Sequence, residues 1–116
     1  RCIYESLAMA YRNAFEQIKD CTGKTYSNIH MLGGGTKDNL LCQMTANAAN
    51  CKITAGPIEA TAMGNIAVQL MAQGDIADLK EARKVILNSF EALKYEPKNN
   101  NKWEEAYKKY ITTIEK

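Results

Sequence analysis

From Cys2 to Cys21 the apolar residues Ile3, Leu7, Ala10, Tyr11, Ala14, Phe15 and Ile18 recur at steps of three and four, the spacing of an amphipathic helix. Gly23 supplies its stop signal. A short strand is predicted over Ser27 to Leu32. A helix follows from about Asn39 to Ala49, with Leu40, Leu41, Met44 and Ala48 inward and Asp38 as its N-cap. Cys51 to Ala55 reads as a second strand ending at Gly56 and Pro57. The next helix, about Glu59 to Ala72, sets Ala60, Met63, Ala67, Leu70 and Met71 on one face before Gly74 ends it. Strand, loop, helix, strand, helix is the alternation that builds a parallel sheet covered by helices, so the fold class is α/β.

The last third changes character. Asp78 with Glu81 three residues on resembles a capping box, opening a helix with Leu79, Ala82, Val85 and Ile86 on its apolar side. Pro97 and the run Asn99, Asn100, Asn101 then interrupt. The final helix, about Lys102 to Glu115, carries Trp103, Ala106, Tyr107, Tyr110, Ile111 and Ile114 at helical spacing, a stripe read as core. No internal repeat and no long linker divides the chain, so residues 1–116 read as one domain. Two strands make a marginal sheet, and further strands are expected upstream.

Composition changes this picture little. With 46% hydrophobic and 24% charged residues the chain matches ordinary globular usage. A net charge of +2 is too small to imply a nucleic-acid or membrane partner. The stretch from Ile53 to Gln73, with Glu59 as its one charge, is broken by that acid, a proline and glycines, which excludes a membrane span. The chain opens on Arg1 and enters a helix at once, so it is expected to be a piece of a longer protein, and no signal peptide is expected within it. Cys2, Cys21, Cys42 and Cys51 form no CxxC pair and no metal-ligand spacing. Three of them fall at apolar positions, so buried reduced thiols and a cytoplasmic setting are expected.

The chemistry concentrates at Gly33, Gly34 and Gly35, between a strand and a helix. That is where α/β proteins place nucleotides, because glycine admits a close backbone approach and the helix N-terminus presents free donors. The stretch GGGTKDN is not a P-loop, and Asp38 stands where the last glycine of GxGxxG belongs. No acid closes the second strand to hold a ribose, which disfavours an NAD enzyme. Glu59 suits a helix start through the dipole. Gly64, costly inside a helix, is expected to allow a close neighbour. His30, the only histidine, is read as structural, while Lys37 is either a phosphate contact or a solvated loop residue.

The stretch MLGGGTKDNLLCQMTANAANCKITAGPIEATAMGNIAVQLMAQGDI resembles the C-terminal lobe of the FGGY family of carbohydrate kinases. The pattern is an apolar strand, three glycines, a polar stretch, Asn39, two apolar residues, one variable residue and Gln43. The stretch GPIEATAMGNI sets the chain apart from the xylulose and glycerol kinases of the family. The resemblance implies a ribonuclease H-like, actin-type ATPase fold of two lobes that close over a sugar and ATP with magnesium. It implies a nucleotide-binding role for Gly33, Gly34, Gly35, Asp38 and Asn39, with Gly34 foremost. It places the catalytic aspartate and most of the sugar pocket before residue 1, so residues 1–116 alone are expected to be inactive. A kinase for another ketose or polyol, and an interaction module that binds no nucleotide, remain open alternatives.

Overall fold

The computed structural model describes residues 1–98 and 100–115. Helix α1 spans Cys2–Thr22 and strand β1 Asn28–Met31; a 3-10 turn over Gly34–Lys37 leads into α2, Asn39–Ala49. Strand β2 is Lys52–Ala55, followed by α3 (Ala60–Gln73), α4 (Leu79–Ser89), β3 (Leu93–Tyr95) and α5 (Asn100–Ile114). The helix starts and stops follow the local chemistry. Asp38 caps α2 through its side chain, Asp78 caps α4 by accepting from the Glu81 amide at 2.8 Å, and Gly23 and Gly74 end α1 and α3. Glu81 reaches back to the Ala77 amide at 2.8 Å, one residue before the Asp78 amide that the reciprocal half of a capping box would engage.

The sheet contains the expected parallel pair and adds an antiparallel third strand, so the sheet is not all-parallel. Its order is β1-β2-β3, with β1 and β2 parallel and β3 antiparallel to β2, so it is mixed and three-stranded among the described residues. Strand β3 escapes the hydrophobic pattern because three residues, two of them exposed, carry no readable alternation. Ile53 stands opposite Ile29 on one side and Tyr95 on the other. Helix α2 lies against β2 and β3, with α1 and α5 packed on it. Ala8, Met44 and Ala48 form one apolar cluster under Tyr4 and Trp103; Ala67, Ile76 and Ala82 form a second where α3 meets α4.

Several expected faces are rotated. On α1 the buried residues are Ala8, Met9 and Arg12, while Ile3, Leu7, Tyr11 and Ile18 are exposed. Leu40 is also exposed, leaving Leu41, Met44 and Ala48 to face inward on α2. The α5 stripe is only half-buried at Trp103, Tyr107, Tyr110 and Ile111, and Ala106 and Ile114 are exposed. Asn100 and Asn101 begin α5 where an interruption is expected; Asn99 lies outside the described residues. Cys42 and Cys51 are buried free thiols, whereas Cys2 and Cys21 are exposed, so burial is met at two cysteines where three are expected at apolar positions. Gly64 faces open space among the described residues, so the close neighbour expected there is not met within them.

Arg12 ties α5 to α1. Its Nη2 lies 2.7 Å from Glu104 Oε1 and the guanidinium sits 3.9 Å above the Tyr107 ring centre, while Nε and Nη1 find no hydrogen-bond partner among the described residues. Glu16 Oε1 lies 3.9 Å from Nε as a second, more distant carboxylate. A buried charge gains little over an apolar side chain of like volume but suffers when its close partner is removed. Glu104→Ala is therefore expected to cost about 1–2 kcal/mol, held to that range because Glu104 is half exposed. Arg12→Met should come within about 1 kcal/mol of neutral. Urea midpoints of the two variants check the contrast.

Candidate functional site

Two loops leave the same end of the parallel pair β1 and β2, the end at which open α/β sheets receive ligands. They brace each other. The Gly56 amide donates to the Met31 carbonyl at 2.7 Å, and the Gly33 amide donates to the Pro57 carbonyl at 3.2 Å. Gly33 has φ 90° and ψ −165°, a conformation essentially confined to glycine. Its carbonyl accepts from both the amide and the hydroxyl of buried Thr36, at 3.1 and 2.6 Å, which closes the 3-10 turn.

The three glycines therefore differ in role. Gly33 is required by its own backbone. Gly34 and Gly35 have ordinary φ values, and a Cβ at either would meet nothing within 4 Å. Nothing in the folding of the described residues demands that these two lack a side chain. They leave the backbone bare to whatever approaches it.

Asp38 and Asn39 follow directly. Asp38 Oδ1 accepts from the Leu40 and Leu41 amides at 3.0 and 3.2 Å, and Oδ2 accepts from the Tyr4 hydroxyl of α1. The Tyr4 bond, then the Leu41 amide, hold this carboxyl below the usual carboxylate range, against the opposing effect of burial. The same bond pushes the Tyr4 phenol up. Asn39 Oδ1 accepts from the Tyr95 hydroxyl of β3 at 2.7 Å. Behind the turn, Cys42 Sγ lies 4.0 Å from the Gly35 carbonyl, and burial pushes its thiol up. Lys37 is exposed, as is His30, whose Nε2 lies 3.0 Å from Asn28 Nδ2.

One turn along α2, the Gln43 side-chain nitrogen donates to Asn47 Oδ1 at 2.9 Å and to the Glu96 carbonyl at 2.7 Å. Asn47 Oδ1 also accepts from the Lys98 amide at 2.7 Å. The helix behind the glycine turn is thereby joined to the segment between β3 and α5. On the second face of the sheet a mostly apolar cleft of about 660 Å³ opens between His30, Leu32, Thr54 and Pro57 on one side and Ile86 and Phe90 on the other. That is within the usual size of a small-molecule site, roughly 300–1,000 Å³.

The geometry suits a neutral, polar ligand better than a free anion. A phosphate at a helix N-terminus needs the unpaired amides there, and in α2 two of them are already taken by Asp38, itself an anion. Among the described residues no three His, Cys, Asp or Glu side chains gather to hold a metal, and no helix is long and apolar enough to cross a membrane. Of the residues singled out from the sequence, Gly33, Gly34, Gly35, Asp38 and Asn39 lie in one turn, while Glu59 is exposed with no side-chain capping bond. Thr36, Tyr4 and Tyr95 escape the sequence reading. Thr36 could be found as a hydroxyl–backbone turn residue; the two tyrosines come from 34 and 56 positions away and carry no local signal.

Residues 1–73 match the FGGY family of carbohydrate kinases, C-terminal domain. The chain is 39% identical over 107 residues to a rhamnulokinase of Bacteroides thetaiotaomicron, covering 92% of this chain and 22% of that protein. It is 42% identical over 95 residues to the rhamnulokinase of Halalkalibacterium halodurans, covering 82% and 20%, and 41% identical over 98 residues to that of Bacillus subtilis, covering 84% and 20%. The chain thus spans 20–22% of the length of these relatives.

Proposed function

Since the chain belongs to the FGGY family of carbohydrate kinases through its C-terminal domain, we propose that it is the nucleotide-binding part of an ATP-dependent sugar kinase, a rhamnulokinase. The whole enzyme would transfer the γ-phosphoryl group of ATP to L-rhamnulose, giving L-rhamnulose 1-phosphate and ADP in rhamnose catabolism. The sugar identity rests on the names of the relatives at 39–42% identity. In this reading residues 1–116 form part of a ribonuclease H-like, actin-type lobe that packs on an N-terminal lobe, which supplies the catalytic base and most of the sugar pocket. The setting is cytoplasmic, with neither nucleic acid nor membrane as a partner. The order α1, β1, α2, β2, with β1 and β2 parallel across α2, supports that fold.

The observation that carries the site is the open space over Gly34 and Gly35 at the end of the parallel strands. A ribose or purine can lie against backbone that has no Cβ in the way. Asp38 and Asn39 stand beside it with hydrogen-bonding capacity to spare. Phosphoryl transfer depends mainly on positioning and on charge stabilisation at the phosphates, and this turn contributes positioning, by gripping the adenosine end. Magnesium would neutralise the triphosphate, held chiefly by phosphate oxygens and water. The described residues offer no cluster of ligands for it, so a protein carboxylate on that ion would come from the other lobe.

Calorimetric titration of the full-length kinase with magnesium-ATP tests the reading. Gly34→Val should weaken binding about tenfold, equivalent to ~1.4 kcal/mol, without lowering the melting temperature, because the new side chain enters open space in the free protein. Unchanged ATP affinity in a folded Gly34→Val protein would remove the turn from the nucleotide site. Release of ADP with L-rhamnulose, compared with xylulose, fuculose and glycerol, tests the sugar.

A further inference from the structure

The two side chains next to the glycine turn do not set their own orientation. Asp38 is gripped from α1 by Tyr4, and Asn39 is gripped from β3 by Tyr95, each through a phenolic hydroxyl donating to a side-chain oxygen. These bonds fix what remains on offer. A carboxylate has about four acceptor positions; the Leu40 and Leu41 amides and Tyr4 take three of those on Asp38, leaving one acceptor on Oδ2. Asn39 has its oxygen engaged by Tyr95, so its nitrogen, with two hydrogens, is the end left open among the described residues. Without Tyr95 the amide could turn over and present oxygen instead.

Resting on the nucleotide reading above, we propose that Tyr4 and Tyr95 are positioning residues for ATP, holding Asp38 as an acceptor and Asn39 as a donor beside the glycine turn. One acceptor next to one double donor complements a group that both gives and takes hydrogen bonds, such as a vicinal diol or a purine edge. A phosphate only accepts, and it would meet the Asp38 charge. The raised phenol of Tyr4 and the lowered carboxyl of Asp38 agree with a bond from neutral tyrosine to ionised aspartate. Both tyrosines are half-buried, so their rings are held by packing while the hydroxyl does the orienting. Neither touches the ligand in this scheme; each acts through its neighbour.

Tyr4→Phe and Tyr95→Phe in the full-length kinase remove one oxygen atom each and keep the ring. The expected result is a KM for ATP raised about 3- to 10-fold, the worth of one net hydrogen bond, with kcat and the KM for the sugar within about twofold. The combination of Tyr4→Phe with Asp38→Asn is expected to fall short of additive, because both substitutions act on the same bond. An unchanged KM for ATP in both Phe variants, with Gly34→Val still weakening ATP, overturns the positioning role and leaves the nucleotide site standing. Equal losses in kcat, both KM values and melting temperature overturn it too, as a general structural effect. If Gly34→Val and both Phe variants all leave ATP binding intact, the nucleotide reading falls and the positioning role falls with it.

Discussion

Gly33→Ala is expected to destabilise the fold by about 1–3 kcal/mol, the strain of placing a Cβ where only glycine sits comfortably. Gly34→Ala and Gly35→Ala should leave stability unchanged or raise it by up to about 1 kcal/mol, since both have ordinary φ and free space at the Cβ position. The difference follows from geometry. Gly33, at φ 90°, turns the chain from β1 toward the Pro57 carbonyl and offers its own carbonyl to Thr36. An alanine would relax φ and loosen both bonds. Denaturant midpoints of the three variants decide the matter, and similar losses at all three would contradict the division of labour. Weaker ATP binding should then appear for different reasons: a distorted turn at position 33, an obstructed surface at 34.

Ile53→Ala should cost about 2–5 kcal/mol, the range for truncating a well-packed aliphatic side chain. Ile53 is completely buried, lies in the middle strand and faces Ile29 and Tyr95 across the two ladders. Its loss would open a cavity where the only parallel and antiparallel pairings of the described sheet meet. Leu40→Ala, also an aliphatic truncation, should change stability by no more than about 0.5 kcal/mol, because Leu40 is 52% exposed. Thermal or urea unfolding of the pair tests the contrast. A loss below about 1 kcal/mol for Ile53→Ala would mean that stability resides in the α1, α2 and α5 packing and not in the sheet.

Much of the fold was legible where the signal is local. The Asp38 cap and Asn39–Ala49 follow from one side chain and the period that succeeds it, and the Asp78 and Glu81 box announces α4 in the same way. What sequence spacing cannot supply is the direction a stripe faces. On α1 the face with small Ala8 beside Met9 and the ion-paired Arg12 packs inward, and the bulkier Ile3, Leu7 and Ile18 of the apolar stripe are left outside. Strand β3 is defined by its neighbour β2 more than by its own residues. At the site, the glycine triplet was visible at once, but its division into one turn glycine and two bare ones required dihedral angles. Tyr4 and Tyr95 were invisible because only the tertiary fold brings them to Asp38 and Asn39.

The Gln43 tether makes the joint between α2 and the C-terminal segment depend on the element present at one atom. Its nitrogen spends both hydrogens, one on Asn47 Oδ1 and one on the Glu96 carbonyl. Glutamate has nearly the same shape and volume, yet an ionised carboxylate only accepts. Hydrolysis of that single amide, the slow chemical ageing open to any glutamine, would exchange two attractions for two repulsions while leaving the outline of the side chain intact. A lesion of that kind would leave no gap in the packing, and would appear only as a C-terminal helix no longer in step with the turn that α2 supports.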